Sequence, residues 1–264
     1  MFRAALLIAV LAAAAPVAAQ RPAPPSSLPD ASSSDEIIVT ALRIPRDKLP
    51  AGVYWDTQSL LDSRVARENA QAFMKCALKS SDTALVRRVV DGEPNSATAR
   101  YAQGWIKATH RSCYPPPPVT SNIVDGGGSI LERGVIVEMA LKSYAPDAAL
   151  TREIIADGTV QTRFRERENY RNRLRVAQDY GALAFSSCLV KRQPVLSTRL
   201  FRSEPGSLLE RGLIQAMIIG GRECLGGASR VTIDPSLMRV YIIDAFYRWV
   251  VAARGTESLI PAGA

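Results

Sequence analysis

The sequence predicts an all-α protein: two tandem helical repeats of about four helices each, packed as one pseudo-symmetric, disulfide-bonded domain. The first observation is cysteine spacing. Cys76 and Cys113 lie 37 positions apart, and Cys188 and Cys224 lie 36 apart. The second is recurrence around them. Phe73-x-x-Cys76-x-x-Lys79 returns as Phe185-x-x-Cys188-x-x-Lys191, and Glu93-Pro94-x-Ser96 returns as Glu204-Pro205-x-Ser207. Arg100, Arg111 and Cys113 return as Arg211, Arg222 and Cys224, all at an offset of 111 or 112 residues. The third is the helical spacing of apolar residues within each copy, such as Val65, Ala72, Phe73 and Cys76.

Residues 1–19 carry Arg3, a short apolar run and small residues before Gln20. That pattern reads as a cleaved secretory signal peptide, and the run is shorter than the ~20 residues that span a bilayer. A periplasmic or secreted location follows, where four cysteines without any C-x-x-C form a disulfide framework. Local pairing, Cys76 with Cys113 and Cys188 with Cys224, is the simplest connectivity; exchange between copies, Cys76 with Cys224 and Cys113 with Cys188, is the alternative. The net charge of +8 favours an acidic partner or the anionic envelope surface, and export argues against nucleic acid.

Residues 20–50 form a Pro- and Ser-rich tether, expected to be disordered, that contains the β-prone run Asp35-Glu36-Ile37-Ile38-Val39-Thr40-Ala41-Leu42-Arg43. Repeat 1, residues 51–145, carries a first helix ending near Lys79, a second capped by Ser81-Asp82, and a third capped by Ser96 after a Glu-Pro turn. A polyproline stretch, 115–118, and Gly126-Gly127-Gly128 precede a fourth helix over 130–143. The connector, 146–173, opens an arginine cluster of Arg163, Arg165, Arg167, Arg171, Arg173 and Arg175. It reads either as a phosphate-binding strip or as a helix start neutralised by Glu166 and Glu168, and the intervening acids favour the second. Repeat 2, residues 174–256, closes on a helix started by Asp234-Pro235. Between 237 and 253 this helix is apolar or aromatic except for Arg239, Asp244 and Arg248. Three charges argue for a buried bundle centre and against a membrane span, with Asp244 and Arg248 paired at i, i+4. Residues 257–264 read as a flexible tail.

The run from Asp35 to Arg43 resembles the TonB box of outer-membrane receptors, an acidic start followed by Ile/Val-Val-Thr-Ala. The resemblance implies strand addition to an envelope partner. No alternating-strand barrel pattern follows it, which separates this chain from that family, and a plain edge strand or linker is the competing reading.

Chemistry is sparse. His110 is the one histidine, which rules out multi-histidine metal sites, and it reads as a surface residue. The chain holds no G-x-S-x-G, H-E-x-x-H, P-loop or G-x-G-x-x-G. No catalytic, cofactor or metal residue is assigned, and no cofactor is expected. Gly126-Gly127-Gly128 before a helix reads as a loop rather than a phosphate cradle. Glu138 and Asp244 occupy matching positions on the two closing helices, each with an arginine five residues before it, Arg133 and Arg239. Paired acids can hydrolyse glycosides; a buried ion-pair role for Arg133, Glu138, Arg239, Asp244 and Arg248 is the simpler reading.

Copy two, with Phe185-x-x-Cys188-Leu-Val-Lys191, Glu204-Pro205-Gly-Ser and Leu237-x-Arg239-x4-Asp244-Ala-Phe-Tyr247, resembles uncharacterised exported proteins of Gram-negative bacteria. Those open on Cys-Val-Val-Lys/Arg and close on Arg-Gly-x-x-Ala-Glu-x-Leu-Tyr, and copy one keeps Arg133-Gly134 and Glu138. The resemblance implies export, helices and disulfides, and no activity. The function expected is a non-enzymatic periplasmic binding or envelope-associated protein, with an envelope hydrolase using Glu138, Asp244 or both as the alternative.

Overall fold

The computed structural model describes residues 36–38, 53–55, 59–114, 130–225 and 230–262. These belong to one compact unit, within residues 31–264. The signal-like segment, most of the tether, the polyproline stretch and the triple glycine lie outside the described residues.

The body is helical, as expected. Among the described residues there are ten α-helices: α1 (Ser59–Ala77), α2 (Thr83–Asp91), α3 (Ala97–Thr109), α4 (Ile130–Tyr144), α5 (Arg152–Ala156), α6 (Gly158–Arg171), α7 (Ala177–Arg192), α8 (Pro194–Arg202), α9 (Leu208–Gly220) and α10 (Pro235–Arg254). Three short strands add a small parallel sheet of order β1-β3-β2, made of β1 (Glu36–Ile38), β2 (Val53–Trp55) and β3 (Arg230–Ile233). β1 is the start of the β-prone run, and it pairs inside the chain, with Ile37 opposite Val231 and Ile38 opposite Thr232.

Helix starts follow side-chain chemistry. Asp82, Ser96, Thr151, Asp157, Ser207 and Asp234 each accept a backbone N–H of the first turn they precede, so each stops one orphan donor from being left bare. The turn before α3 places Asn95 at φ 67°, and the turn before α9 places Gly206 at φ 81°. Asn and Gly are the residues that tolerate this left-handed backbone most readily. The α3 cap, His110, has φ −115° and ψ 39°, and the α9 cap, Gly221, has φ −116° and ψ 34°. Cys113 and Cys224 sit in 3-10 turns just beyond these caps, not on α3 and α9 themselves.

The disulfides join Cys76 to Cys113 and Cys188 to Cys224, and no free cysteine is found among the described residues. Each staples the end of one long helix, α1 or α7, to the turn after α3 or α9.

α10 is the axis of the fold, packed against α4, α7, α6, α1, α8 and α9. Ile242, Ile243, Ala245, Phe246 and Tyr247 are fully buried within it. No helix among the described residues is long and apolar enough to cross a membrane. α4 crosses α10 at Gly134, where a Cβ would stand 2.1 Å from Val240 Cγ1 and 2.8 Å from Val240 Cβ. Gly134→Ala should therefore push the two helices apart and cost about 1–3 kcal/mol by overpacking. Urea unfolding measures it, and an unchanged midpoint contradicts this packing.

One sequence expectation is extended and one needs correction. The connector is helical, as its favoured reading has it, and carries two helices, α5 and α6; α6 is so charged that no apolar stripe announces it. The tail beyond 256 is held, not flexible, through residue 260. Ile260 is 2% exposed, Ser258 Oγ donates to Asp91, and Leu259 N donates to Tyr247 Oη at 3.4 Å. Burial of Ile260 and these hydrogen bonds together fold the chain end back onto the body.

Candidate functional site

The buried charges of α4 and α10 form a dense polar cluster. Arg133 on α4 reaches across to Asp244 on α10, Nη1 to Oδ2 at 2.8 Å. Arg239 on α10 reaches back to Glu138 on α4, Nη2 to Oε1 at 2.8 Å and Nε to Oε2 at 3.0 Å. The bridges are crossed because five residues on one helix are ~140° apart around its axis, so Arg133 and Glu138 cannot meet on α4. Each arginine also holds the end of a shorter helix. Arg133 donates to Val89 O and Val90 O at the end of α2, and Arg239 donates to Ser203 O and Oγ after α8.

Asp244 carries two further cations. Arg248 Nε donates to its Oδ1 at 3.0 Å, the i, i+4 pair expected from the sequence, and Arg175 Nη2 donates to its Oδ2 at 2.9 Å. The network continues outward. Arg248 meets Glu168 at 2.6 Å, Arg175 meets Asp179 at 2.6 Å, and Arg171 meets Asp91 at 3.4 Å. Tyr247 Oη donates to Asp91 at 2.9 Å. Glu138 also takes Lys142 at 2.9 Å, and Glu210 takes Arg67 at 2.8 Å. A separate buried group joins Lys107 and Gln103 to Glu132. Buried guanidinium and carboxylate groups survive such burial only when matched this closely.

The electrostatics follow. Burial pushes Glu138 upward, but Arg239 and then Lys142 pull harder and hold its carboxyl at about 2. Burial likewise opposes charge on Asp244, yet Arg133, Arg248 and Arg175 together hold it well below the usual carboxylate range. Burial pulls Arg133 down from the usual arginine value, while Asp244 and Glu168 overcome burial to raise Arg248. Neither acid keeps a proton to donate near neutrality, and neither is more than 4% exposed. What this arrangement does chemically is fix the crossing of α4 and α10. A depressed carboxyl stabilises the fold above its unfolded value near 4 and loses that contribution as pH falls through its folded value. Stability should hold from pH 7 to about 4.5 and then fall steeply towards pH 2. Urea midpoints across that range test this, and a midpoint flat to pH 2.5 contradicts it.

Arg167, Arg171, Arg173 and Arg175 of the arginine cluster are paired within the chain, while Arg165 stands exposed. Arg167 binds Glu257 and the carbonyl of Thr256, Arg171 binds Asp91, Arg173 binds Glu93 in a two-pronged contact, and Arg175 binds Asp179 and Asp244. Arg173 also lies over the Tyr170 ring at 4.3 Å. Arg167, Arg171 and Arg173, with Asp91, Glu93 and Glu257, line a cleft of about 680 Å³ that carries both charge signs. A second cavity, about 250 Å³, lies between Arg67, Gly206, Arg211 and Pro235.

His110 is half-buried at the end of α3, its Nδ1 2.9 Å from Ile106 O, so it closes a helix. No group of three or more His, Cys, Asp or Glu among the described residues is placed to hold a metal ion. Sequence reasoning missed Arg67, Glu168, Arg175, Asp179 and Glu210 as network members. Arg175 and Asp179 carried a local signal, their i, i+4 spacing, and Glu210 another, its place three residues after the cap Ser207. Comparison with protein-family models, curated proteins and solved structures finds no match.

Proposed function

We propose that this is an exported, non-enzymatic helical protein of the bacterial envelope, built from two copies of one unit, that works by binding a partner. The observation that carries the reading is the crossed pair Arg133–Asp244 and Arg239–Glu138, which occupies the two acids best suited to catalysis. Duplication is supported by repeated detail at an offset of 111 or 112 residues: the local disulfides, the left-handed residues Asn95 and Gly206, and the matching caps His110 and Gly221. Disulfides support an oxidising compartment. The leading segment supports export, and the excess of lysine and arginine supports an envelope protein or the anionic envelope surface as partner.

Affinity capture from envelope extract, with the purified chain as bait, tests the reading. A partner retained through washing at 0.15 M salt and by the Glu138→Gln chain to the extent that it folds is the expected result. Turnover of envelope glycan by the wild-type chain, lost in a folded Glu138→Gln variant, would replace it with the hydrolase reading.

A further inference from the structure

The 250 Å³ cavity differs from the rest of the surface in how it is walled. Gly206 forms one side at φ 81°. At the corresponding turn before α3, Asn95 takes nearly the same backbone conformation, and its side chain donates across to Leu174 O, ahead of α7, at 3.2 Å. Gly206 has no such side chain, and the space stays open. A Cβ at Gly206 would meet only Arg67 Nη2, at 3.7 Å.

Arg67 is the cavity's inner cation. It is 3% exposed, and its Nη1 donates to Glu210 at 2.8 Å, while its Nε–H is buried without a hydrogen-bond partner. The Nε–H and Nη2–H edge of a guanidinium is a flat two-donor fork that matches the two oxygens of a carboxylate. Arg64 and Arg211 stand exposed at the rim, the former 3.5 Å from Glu68. Glu210 opposes an anion but is already engaged by Arg67, by the Gly206 amide and, at 3.9 Å, by Arg239. Asp234, the cap of α10, is the other acid near Arg67; its Oδ1 is taken up by Ser236 N and Leu237 N at 2.7 and 3.2 Å, and burial raises its carboxyl from the ordinary value.

We propose that this cavity binds a small monocarboxylate, its carboxylate on the Arg67 fork between Arg64 and Arg211 and its short aliphatic body against Pro235. A dianion such as phosphate suits it less, because Glu210 lies in the wall. The volume is at the small end for ligand sites, which limits the ligand to a few carbons. The proposal rests on the binding reading above and assigns it a ligand class.

Calorimetric titration of the full chain with propionate, and separately with inorganic phosphate, tests it beside two variants. Gly206→Asn fills the cavity with the side chain that its counterpart turn already carries, and Arg211→Gln removes a rim charge. Saturable propionate binding, weakened about tenfold or more in both variants, is expected, as removal of a charge-assisted contact requires. Thermal midpoints of the two variants should stay near wild type, separating lost binding from lost folding. No propionate binding, binding as tight as wild type in either variant, or tighter binding of phosphate would overturn the proposal. None of these outcomes bears on partner capture from envelope extract, so the two readings fail separately.

Discussion

Asp244→Asn should destabilise the chain by about 3–5 kcal/mol, the cost of removing one partner from a buried charge cluster. The substitution keeps the shape of the side chain but places an amide where a carboxylate faced three guanidinium groups, those of Arg133, Arg175 and Arg248. Arg248 and Arg175 keep Glu168 and Asp179 as counter-ions. Arg133 keeps only carbonyl acceptors, Val89 O and Val90 O, so most of the loss falls on it. Replacing both partners, Arg133→Met with Asp244→Leu, should cost less than the sum of the single changes, because Arg133 is then removed together with its counter-ion, while Arg175 and Arg248 keep Asp179 and Glu168. A urea-unfolding double-mutant cycle measures the coupling. Additive effects would mean that the bridge holds nothing.

Opening the Cys188–Cys224 bond by substituting both cysteines with serine should lower stability by about 4 kcal/mol, the loop-entropy value for cysteines 36 positions apart. Cys224 is buried, and the bond ties the end of α7 to the turn after α9, next to the fully buried Leu189 and Met217. Opening Cys76–Cys113 should cost a similar amount, since its loop is one residue longer. Reduction of both bonds should therefore leave little net stability in a domain whose total is about 5–15 kcal/mol. Unfolding curves with and without reductant measure this, and coincident curves would contradict it.

Much of the helical frame is legible in the sequence, because helix starts are written locally. Asp82, Ser96 and Asp234-Pro235 each cap where their chemistry says they should. The Asp244–Arg248 pair is legible for the same reason, being one turn apart. α6 escapes because its residues are charged on every side; its burial of Val160 and Arg171 depends on partners far along the chain. The crossed bridges escape as pairs, since Arg133 and Asp244 are 111 residues apart and meet only once α4 lies on α10. β3 and β2 are too short to carry a period, and their pairing is set by the chain's return. The tail shows the same limit. Two apolar residues at a chain end look like fraying until Asp91 and Tyr247 are seen to receive them.

The central claim is that Glu138 and Asp244 are structural anions, held ionised by crossed arginines. Carboxyl carbon chemical shifts of the two side chains, followed by NMR from pH 7 downward, test it directly. Both signals should stay at their ionised positions to below pH 3.5, with Glu138 titrating near 2 if the fold survives. Titration of either carboxyl between pH 5 and 7, as a general acid at neutral pH requires, would contradict the account.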